Sequence, residues 1–464
     1  MRREILNKFF SSKVIGNIII SICSIILLYL ICSLYFINHF FINTKVNGVD
    51  LSLKNHNEAN YILDNAISKY NIEIVGRDGR NQHVNGKDIE IAYINKDIKA
   101  EIKKKQNPIL WGISIFLKGD YYIDGLIKYN KDKLDNIIDN SEIITKDIEE
   151  PINVSFLFLD GDYVIEPEVY GNKINIIKFK KVIDESINKG DTKINLDEKD
   201  CYENPVFTSV SDKTIETEEL LNKYISTKIT YLFGDNKEVL DANIINNWLS
   251  VDENLDVVID EKALTEYISA LSSKYNTVGI NRNFKTSTGK IVEVKGGYYG
   301  WKINSVAEKK LLLEYLNVGA NIEKEPIYSQ EALYRSEDDV GNTYVEINIS
   351  RQYMWFYKDG KVIAEGNIVT GDPRKGYSTS EGTYMINYKQ KDAVLRGPGY
   401  EAKVNYWMPF NGNIGIHDAT WRSSFGYNIY SNNGTHGCVN APLSLAQKIY
   451  ENIESGTPVI CYEE

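Results

Sequence analysis

Reactive and cross-linking residues are scarce in this sequence. Its 464 residues include five cysteines and five histidines. So few cysteines do not build a disulfide-stapled scaffold. Positive charge is also short: 53 Lys and Arg face 64 Asp and Glu, for a net charge of −11. An acidic chain without a basic stripe argues against nucleic-acid binding. No Cys-x-x-Cys pair occurs. What is present looks globular, with 43% hydrophobic and 25% charged residues. At about 150 residues per unit, the length suggests roughly three folded units.

Residues 14–37 carry no charge. At about 1.5 Å per residue they are long enough to cross about 30 Å of hydrocarbon. Arg2, Arg3, Lys8 and Lys13 precede this segment and Lys45 follows it, which favours a cytoplasmic N-terminus. A cleaved signal peptide is the rival reading, but its apolar core usually runs about 7–15 residues. No Ala-x-Ala site follows, which favours an uncleaved signal-anchor. Either way, residues from about 38 onward are expected outside the cytoplasm. Cys23 and Cys32 fall inside the apolar segment; Cys201, Cys438 and Cys461 fall outside it. Three is odd, so at least one has no partner within the chain.

An internal repeat marks the middle of the chain. Tyr170-Gly171-Asn172-Lys173-Ile174-Asn175 recurs 129 residues later as Tyr299-Gly300-Trp301-Lys302-Ile303-Asn304. A strand-like run precedes each copy. A helix-like stretch and a Pro-apolar-aromatic exit follow, Pro205-Val206-Phe207 and Pro326-Ile327-Tyr328. In the second module Asp241 is placed to cap a helix through Ile245, Trp248 and Leu249. A second helix is expected from Glu261 to Tyr275, with Leu264, Ile268 and Leu271 on one stripe. Gly296-Gly297 gives a turn before Tyr298, Tyr299 and Trp301; these aromatics could stack on sugar rings, but core packing is the favoured reading.

These modules resemble the VanW-associated peptidoglycan-binding domains of Gram-positive surface proteins. The resemblance is carried by Asn47-Gly48-Val49-Asp50, Asp252-Glu253-Asn254, Lys274-Tyr275-Asn276-Thr277 and the second hexapeptide. It implies a wall-facing role and assigns no ligand residue. Asn172 replaces the tryptophan in the first copy.

From about residue 340 the texture turns to strands. Tyr344-Val345-Glu346-Ile347-Asn348-Ile349 alternates as a half-buried strand should. Asp359-Gly360 between strand-like runs signals a hairpin. Residues 383–388 alternate again. Leu445, Ile449 and Ile453 form a helical stripe stopped at Gly456, and residues 457–460 read as a last strand. The expected fold is therefore multidomain. A cytoplasmic tail (1–13) precedes one transmembrane helix (14–37). Two α+β repeat modules follow (45–208 and 209–335), then a mostly-β domain (340–464).

That last domain holds the chemical candidates. Gly434-Thr435-His436-Gly437-Cys438-Val439-Asn440 places a thiol beside an imidazole, and His417 lies 21 residues upstream of Cys438. A thiol is only a few per cent ionised at pH 7, so a base must take its proton and return it to the leaving amine. His417, at the end of Ile414-Gly415-Ile416, is assigned as that base. In an extended segment His436 and Cys438 point the same way about 6.5 Å apart, which leaves His436 a supporting role. Gly437 leaves the turn free of a side chain, so backbone amides can meet a developing oxyanion. Asn440 could hold a substrate amide or the loop. Arg422, after Trp421, could grip a substrate carboxylate or form a structural ion pair. Zinc binding by His417, His436 and Cys438, a Cys438 disulfide, and simple buried packing are the competing readings.

Residues 343–462 resemble the YkuD-type L,D-transpeptidase catalytic domain. The signature is a histidine, a spacer, then Ser/Thr-His-Gly-Cys-apolar-Asn/Arg. Here it is His417, 17 spacer residues, and Thr435-His436-Gly437-Cys438-Val439-Asn440. Further matches are Met354-Trp355-Phe356-Tyr357, Thr370-Gly371, Tyr406-Trp407-Met408-Pro409-Phe410 and Ile416-His417-Asp418-Ala419. The resemblance implies Cys438 as nucleophile and His417 as proton donor and acceptor. It gives His436, Gly437 and Asn440 parts in shaping the site; on the residues alone, Arg422, Thr435 and Trp421 join Asn440 as substrate-side candidates. It implies a membrane-anchored peptidoglycan L,D-transpeptidase acting on stem peptides without cofactor or metal. It also implies 3→3 cross-links made through a thioester, outside the cell membrane and facing the wall. An L,D-carboxypeptidase and a non-catalytic wall-binding or sensor protein are the alternatives.

Overall fold

The computed structural model describes residues 12–94, 97–336, 338–397 and 400–464. Residues 1–11 of the expected cytoplasmic tail lie outside the described residues. Helix α1 (Ser12–Tyr35) covers most of the apolar segment. Its Val14–Tyr35 stretch is long and apolar enough to cross a membrane, by length and composition. The helix stops at Tyr35, two residues before the expected end.

The described chain falls into two units, residues 1–155 with 166–211, and residues 156–165 with 212–464. In the first unit, α2 (His56–Ile67) leads to β1 (Asn71–Val75) and β2 (Asn81–Asn85). After some 45 residues comes α3 (Lys131–Asp139); the hairpin β3 (Ser155–Leu159) and β4 (Asp162–Glu166) then crosses into the second unit, and α4 (Ile176–Lys189) and β5 (Lys193–Asn195) return to the first. The second unit repeats this order. It has α5 (Asp212–Ile225), β6 (Lys228–Phe233), β7 (Asn236–Leu240), α6 (Glu261–Tyr275), β8 (Arg282–Lys285), β9 (Ile291–Val294), α7 (Ser305–Val318) and β10 (Asn321–Lys324). Each module has the same three-stranded sheet: β2 antiparallel and β5 parallel to β1, β7 antiparallel and β10 parallel to β6.

The repeated hexapeptide has a structural job in both copies. Its last residue caps the next helix: Asn175 accepts the Lys178 N–H, and Asn304 accepts the Ala307 N–H. Its isoleucine is buried, Ile174 in one copy and Ile303 in the other. Its glycine has positive φ, and an added Cβ would lie 2.3 Å from Glu149 O at Gly171 and 2.5 Å from Thr277 C at Gly300. The variable third position is filled by packing. Asn172 accepts the Glu149 N–H and donates to Asp147 O, whereas Trp301 Nε1 donates to Tyr334 O under the Arg335 guanidinium. Tyr299 and Trp301 are core residues, as expected; Tyr298 is exposed.

Helix α6 has the expected ends and buries Leu264, Ile268 and Leu271. The helix capped by Asp241 is shorter than expected: it ends at Ile245, passes through a 3₁₀ turn to Trp248, and Leu249 begins a strand. Residues 156–165 also depart from the expected 45–208 module. They belong to the second unit, where Tyr163 is buried and its OH donates to Asn246 Oδ1 at 2.7 Å.

The C-terminal domain joins two sheets around one core. The first has the order β13 (Lys361–Asn367), β12 (Tyr353–Lys358), β11 (Tyr344–Asn348), β19 (Pro458–Tyr462), β14 (Gly382–Met385). The second runs β15 (Gln390–Gly397), β16 (Tyr400–Asn411), β17 (Ile414–Asp418), β18 (Val439–Ala441). Helix α8 (Leu443–Asn452) supplies Leu445, Ala446 and Ile449 to the core; Ile453, just past its end, is buried too. The expected hairpin is present, with Asp359 and Gly360 both at positive φ. Strand β14 stops at Met385, short of the expected 388.

Strand β11 corrects the half-buried expectation. Both of its faces are covered, and Glu346 and Asn348 are fully buried. Glu346 is satisfied by the Ser287 N–H (2.8 Å), the Ser287 hydroxyl (2.5 Å) and the Tyr462 OH (2.6 Å). Ser287 sits in the β8–β9 turn, so the second module covers a face that periodicity alone assigns to water. Val294, Tyr299, Val340, Ile460 and Tyr462 make a shared apolar cluster beside it.

Candidate active site

Strands β17 and β18 run parallel with His417 opposite Asn440 in register. That pairing brings residues 23 apart in sequence to one sheet edge. His417 is almost wholly buried, and its Nδ1 lies 2.9 Å from Asp418 O. Asn440 Nδ2 lies 2.9 Å from His417 Nε2, and Asn440 Oδ1 accepts from Arg422 Nε at 2.8 Å. Arginine has only donors, so the Asn440 oxygen must face it and the amide nitrogen must face the imidazole. Nε2 is then the unprotonated nitrogen, and Nδ1 donates to the Asp418 carbonyl. The tautomer follows from the network.

Burial pushes the His417 imidazole below its ordinary value, and Arg422 adds to that; the Asp418 carbonyl and carboxylate oppose it. Burial pushes the Cys438 thiol up, with the Gly415 N–H opposing. The resting site therefore holds a neutral imidazole and a neutral thiol. Among the described residues the thiol donates to Asn413 O (3.6 Å), not to an imidazole. Cys23, Cys32, Cys201, Cys438 and Cys461 are all unpaired, which removes the Cys438 disulfide.

The turn before Cys438 is built by Thr435 and Gly437. The Thr435 hydroxyl donates to Cys438 O (2.6 Å) and accepts the Gly437 N–H (3.0 Å). Gly437 has φ of +112°, a conformation other residues rarely adopt. Two expectations change here. The Gly437 N–H is occupied within the turn, and the buried Thr435 hydroxyl holds the loop rather than reaching outward. His436 is turned outward, with its ring 4.6 Å from that of Tyr377.

Cys438, His417, His436, Thr435, Asn440, Arg422 and Trp421 all line one cleft of about 510 Å³. Its opposite wall is the β15–β16 hairpin, through Leu395, Ala402 and Lys403. Trp421 is half exposed, its ring 6.1 Å from that of His417. Of the two readings of Arg422, the structural ion pair is not found among the described residues; the guanidinium instead bonds to Asn440 Oδ1 and to Asn433 O (2.8 Å each). Asn440, expected to hold substrate or loop, holds the histidine.

Several supporting residues carried no mark of their own in the sequence. The fully buried Asp418 carboxylate accepts the Asn405 N–H, the Tyr406 N–H and Asn405 Nδ2, each at 2.8 Å, and so ties β17 to β16. Thr379 donates to Gly437 O at 2.7 Å from a loop 58 residues away. Asp418 had one available signal, its position next to His417.

Residues 342–461 match the YkuD family model, the L,D-transpeptidase catalytic domain. Residues 113–195 and 208–322 match the family described as a putative peptidoglycan binding domain. Neither match carries the VanW association. Among solved structures, a cysteine-to-serine mutant of Enterococcus faecium L,D-transpeptidase is 31% identical, covering 53% of this chain and 100% of that chain with a TM-score of 0.45. The catalytic domain of E. faecium L,D-transpeptidase is 39% identical, covering 26% of this chain and 97% of that chain with a TM-score of 0.25. A Mycobacterium tuberculosis L,D-transpeptidase is 22% identical, covering 26% of this chain and 58% of that chain with a TM-score of 0.24. No curated protein sequence matches the chain. By family and by sequence identity along a relative's full length, this is a transpeptidase-type catalytic domain behind two modules of the family described as a putative peptidoglycan binding domain. The chain belongs to the YkuD L,D-transpeptidase family.

Proposed function

We propose that the protein is a membrane-anchored peptidoglycan L,D-transpeptidase that forms 3→3 cross-links through a thioester on Cys438. The observation that carries this reading is the buried, neutral His417, its Nε2 left as acceptor, in the same cleft as the Cys438 thiol.

His417 Nε2 takes the thiol proton as sulfur attacks the carbonyl of the third, diamino residue of a tetrapeptide stem. The Asn440 amide must yield Nε2 for that transfer. With the Gly437 N–H held by Thr435, the Cys438 N–H is the donor assigned to the oxyanion. The C–N bond to D-alanine breaks, and the departing amine receives the proton from His417. The side-chain amine of a neighbouring stem then attacks the thioester, forming the new amide and restoring the thiol. The energy of the cleaved amide passes through the thioester, so no nucleotide is consumed. Lys403 and Arg422 line the cleft without carboxylate partners among the described residues, and the one carboxylate in its lining, Glu401, is paired with Arg396 (3.1 Å); the two unpaired cations suit an anionic stem.

Mass spectrometry of the full chain with disaccharide tetrapeptide tests this. The expected result is a Cys438 adduct that has lost D-alanine, then a dimer. Donor turnover by the Cys438→Ala protein would overturn the nucleophile assignment. Release of free tripeptide with no dimer would make the enzyme a carboxypeptidase.

A further inference from the structure

Residues 106–117, Gln-Asn-Pro-Ile-Leu-Trp-Gly-Ile-Ser-Ile-Phe-Leu, carry no charge and are bracketed by Lys103, Lys104, Lys105 and Lys118. They form a 3₁₀ helix, Pro108–Ile115, capped by Asn107. A globular domain would turn such a run inward. Here it faces out: Phe116 is 87% exposed, and Ile109, Leu110, Ile113, Ile115 and Leu117 are exposed as well. Contiguous exposed apolar surface of this kind marks an interaction site.

The segment is also fixed in place. Trp111 stacks on Tyr29 (5.2 Å between ring centroids) and on Phe36 (5.4 Å). The Tyr29 OH donates to Ile109 O at 2.6 Å. Tyr29 lies six residues before the end of α1, about 9 Å down its axis. The exposed apolar side chains of the segment therefore continue those of α1, at the depth where a bilayer passes from hydrocarbon to headgroups. Aromatic residues gather at that depth in membrane proteins, and lysines just above it meet anionic headgroups. Lys103 is held at the mouth of α1, its Nζ donating to His39 O at 2.7 Å.

We infer that residues 108–117 are a second membrane element: an interfacial wedge that inserts its Ile, Leu and Phe side chains into the leaflet at the C-terminal end of α1. This rests on reading α1 as a membrane span. The partner is that bilayer, enriched in anionic lipid. The wedge holds the start of the first module against the membrane instead of leaving it on a free tether.

The test uses the full chain in vesicles of phosphatidylcholine and phosphatidylglycerol, with Cys23, Cys32 and Cys438 changed to Ser. Single fluorophores are placed at Phe116→Cys, at Ile25→Cys within α1, and at Tyr61→Cys on an exposed face of α2. The label at 116 is expected to be quenched by lipids bearing a shallow quencher and protected severalfold from iodide relative to 61. If 25 is lipid-quenched while 116 meets iodide as readily as 61, the wedge is overturned and the span stands. If 25 itself meets iodide, both fail. If 116 is shielded from iodide and lipid quencher alike, protein covers the face and the wedge is overturned.

Discussion

Asn440 Nδ2 lies 2.9 Å from His417 Nε2, so the nitrogen assigned as catalytic base is held by an amide that is itself anchored by Arg422. An amide donor stabilises the neutral imidazole and disfavours the imidazolium. It also fixes the ring plane. In the proposed mechanism the same bond must open as the thiol proton moves to Nε2, which would give Asn440 a part in the cost of proton transfer as well as in the resting tautomer.

Replacing Asn440 separates these effects. Asn440→Ala frees Nε2 but loosens the ring, and a fall in kcat of about ten- to hundred-fold with little change in KM is expected, within the range of general-base catalysis. Asn440→Asp puts a carboxylate against Nε2, which favours the imidazolium. Its acid limb should move to higher pH. Unchanged profiles for both variants would show that Asn440 is not a partner of the working base.

The pH dependence follows from the two opposed shifts. His417 sits below its ordinary value because of burial, so the base stays neutral as pH falls through about 6.5, where an ordinary histidine is half protonated. The acid limb of kcat/KM should fall below that point. Cys438 is pushed up by burial, so iodoacetamide should alkylate it slowly at pH 7, with a rate still rising above about pH 8.5. Fast alkylation that is flat from pH 5 to 8 would mean a preformed thiolate–imidazolium pair and would contradict the neutral resting site.

Gly437→Ala tests the turn. An alanine there must adopt φ near +112°, and its Cβ would meet Ile414 Cδ1 at 3.1 Å. Strain of this kind costs on the order of 1–3 kcal/mol. Acylation should fall far more than thermal stability, because the turn sets the position of Cys438 while the core lies elsewhere. Equal, small effects on both would remove the turn from the mechanism.

A buried ion pair ties the second module to the segment that enters the catalytic domain. Arg282 grips both oxygens of Asp339, at 2.9 and 2.7 Å, and Tyr299 OH donates to Asp339 O at 2.6 Å. Removing one partner of such a pair leaves an uncompensated charge, typically about 3–5 kcal/mol. Asp339→Ala should lower the melting temperature sharply, and Arg282→Met with Asp339→Leu should recover much of the loss. If the double variant is no more stable than the single one, the penalty comes from packing and not from a stranded charge.

Much of this was legible in the chain. The Thr-His-Gly-Cys run, the upstream histidine and the repeated hexapeptide are local patterns, and local patterns survive in sequence. Helix α6 was readable to its ends because Leu264, Ile268 and Leu271 form a 3.6-residue stripe; its cap, Asp260, came from the structure. The Asp359-Gly360 hairpin was readable because positive φ at both positions needs those residue types.

Other features depended on what lies across space. Alternation in β11 tells which residues share a face, but not what covers each face. Glu346 is buried only because Ser287, 59 residues away, reaches it with two donors. Residue types named Thr435, Asn440 and Arg422 as candidates, yet a hydroxyl, an amide and a guanidinium each suit many partners. Parallel pairing of β17 with β18 turned Asn440 onto His417, and the Gly437 turn put Thr435 to work inside the loop. The sequence by itself determined which groups could do chemistry here. The tertiary structure decided which imidazole nitrogen holds a proton, which amide the loop occupies and which groups Arg422 grips, because those depend on contacts of about 3 Å that only the folded chain sets.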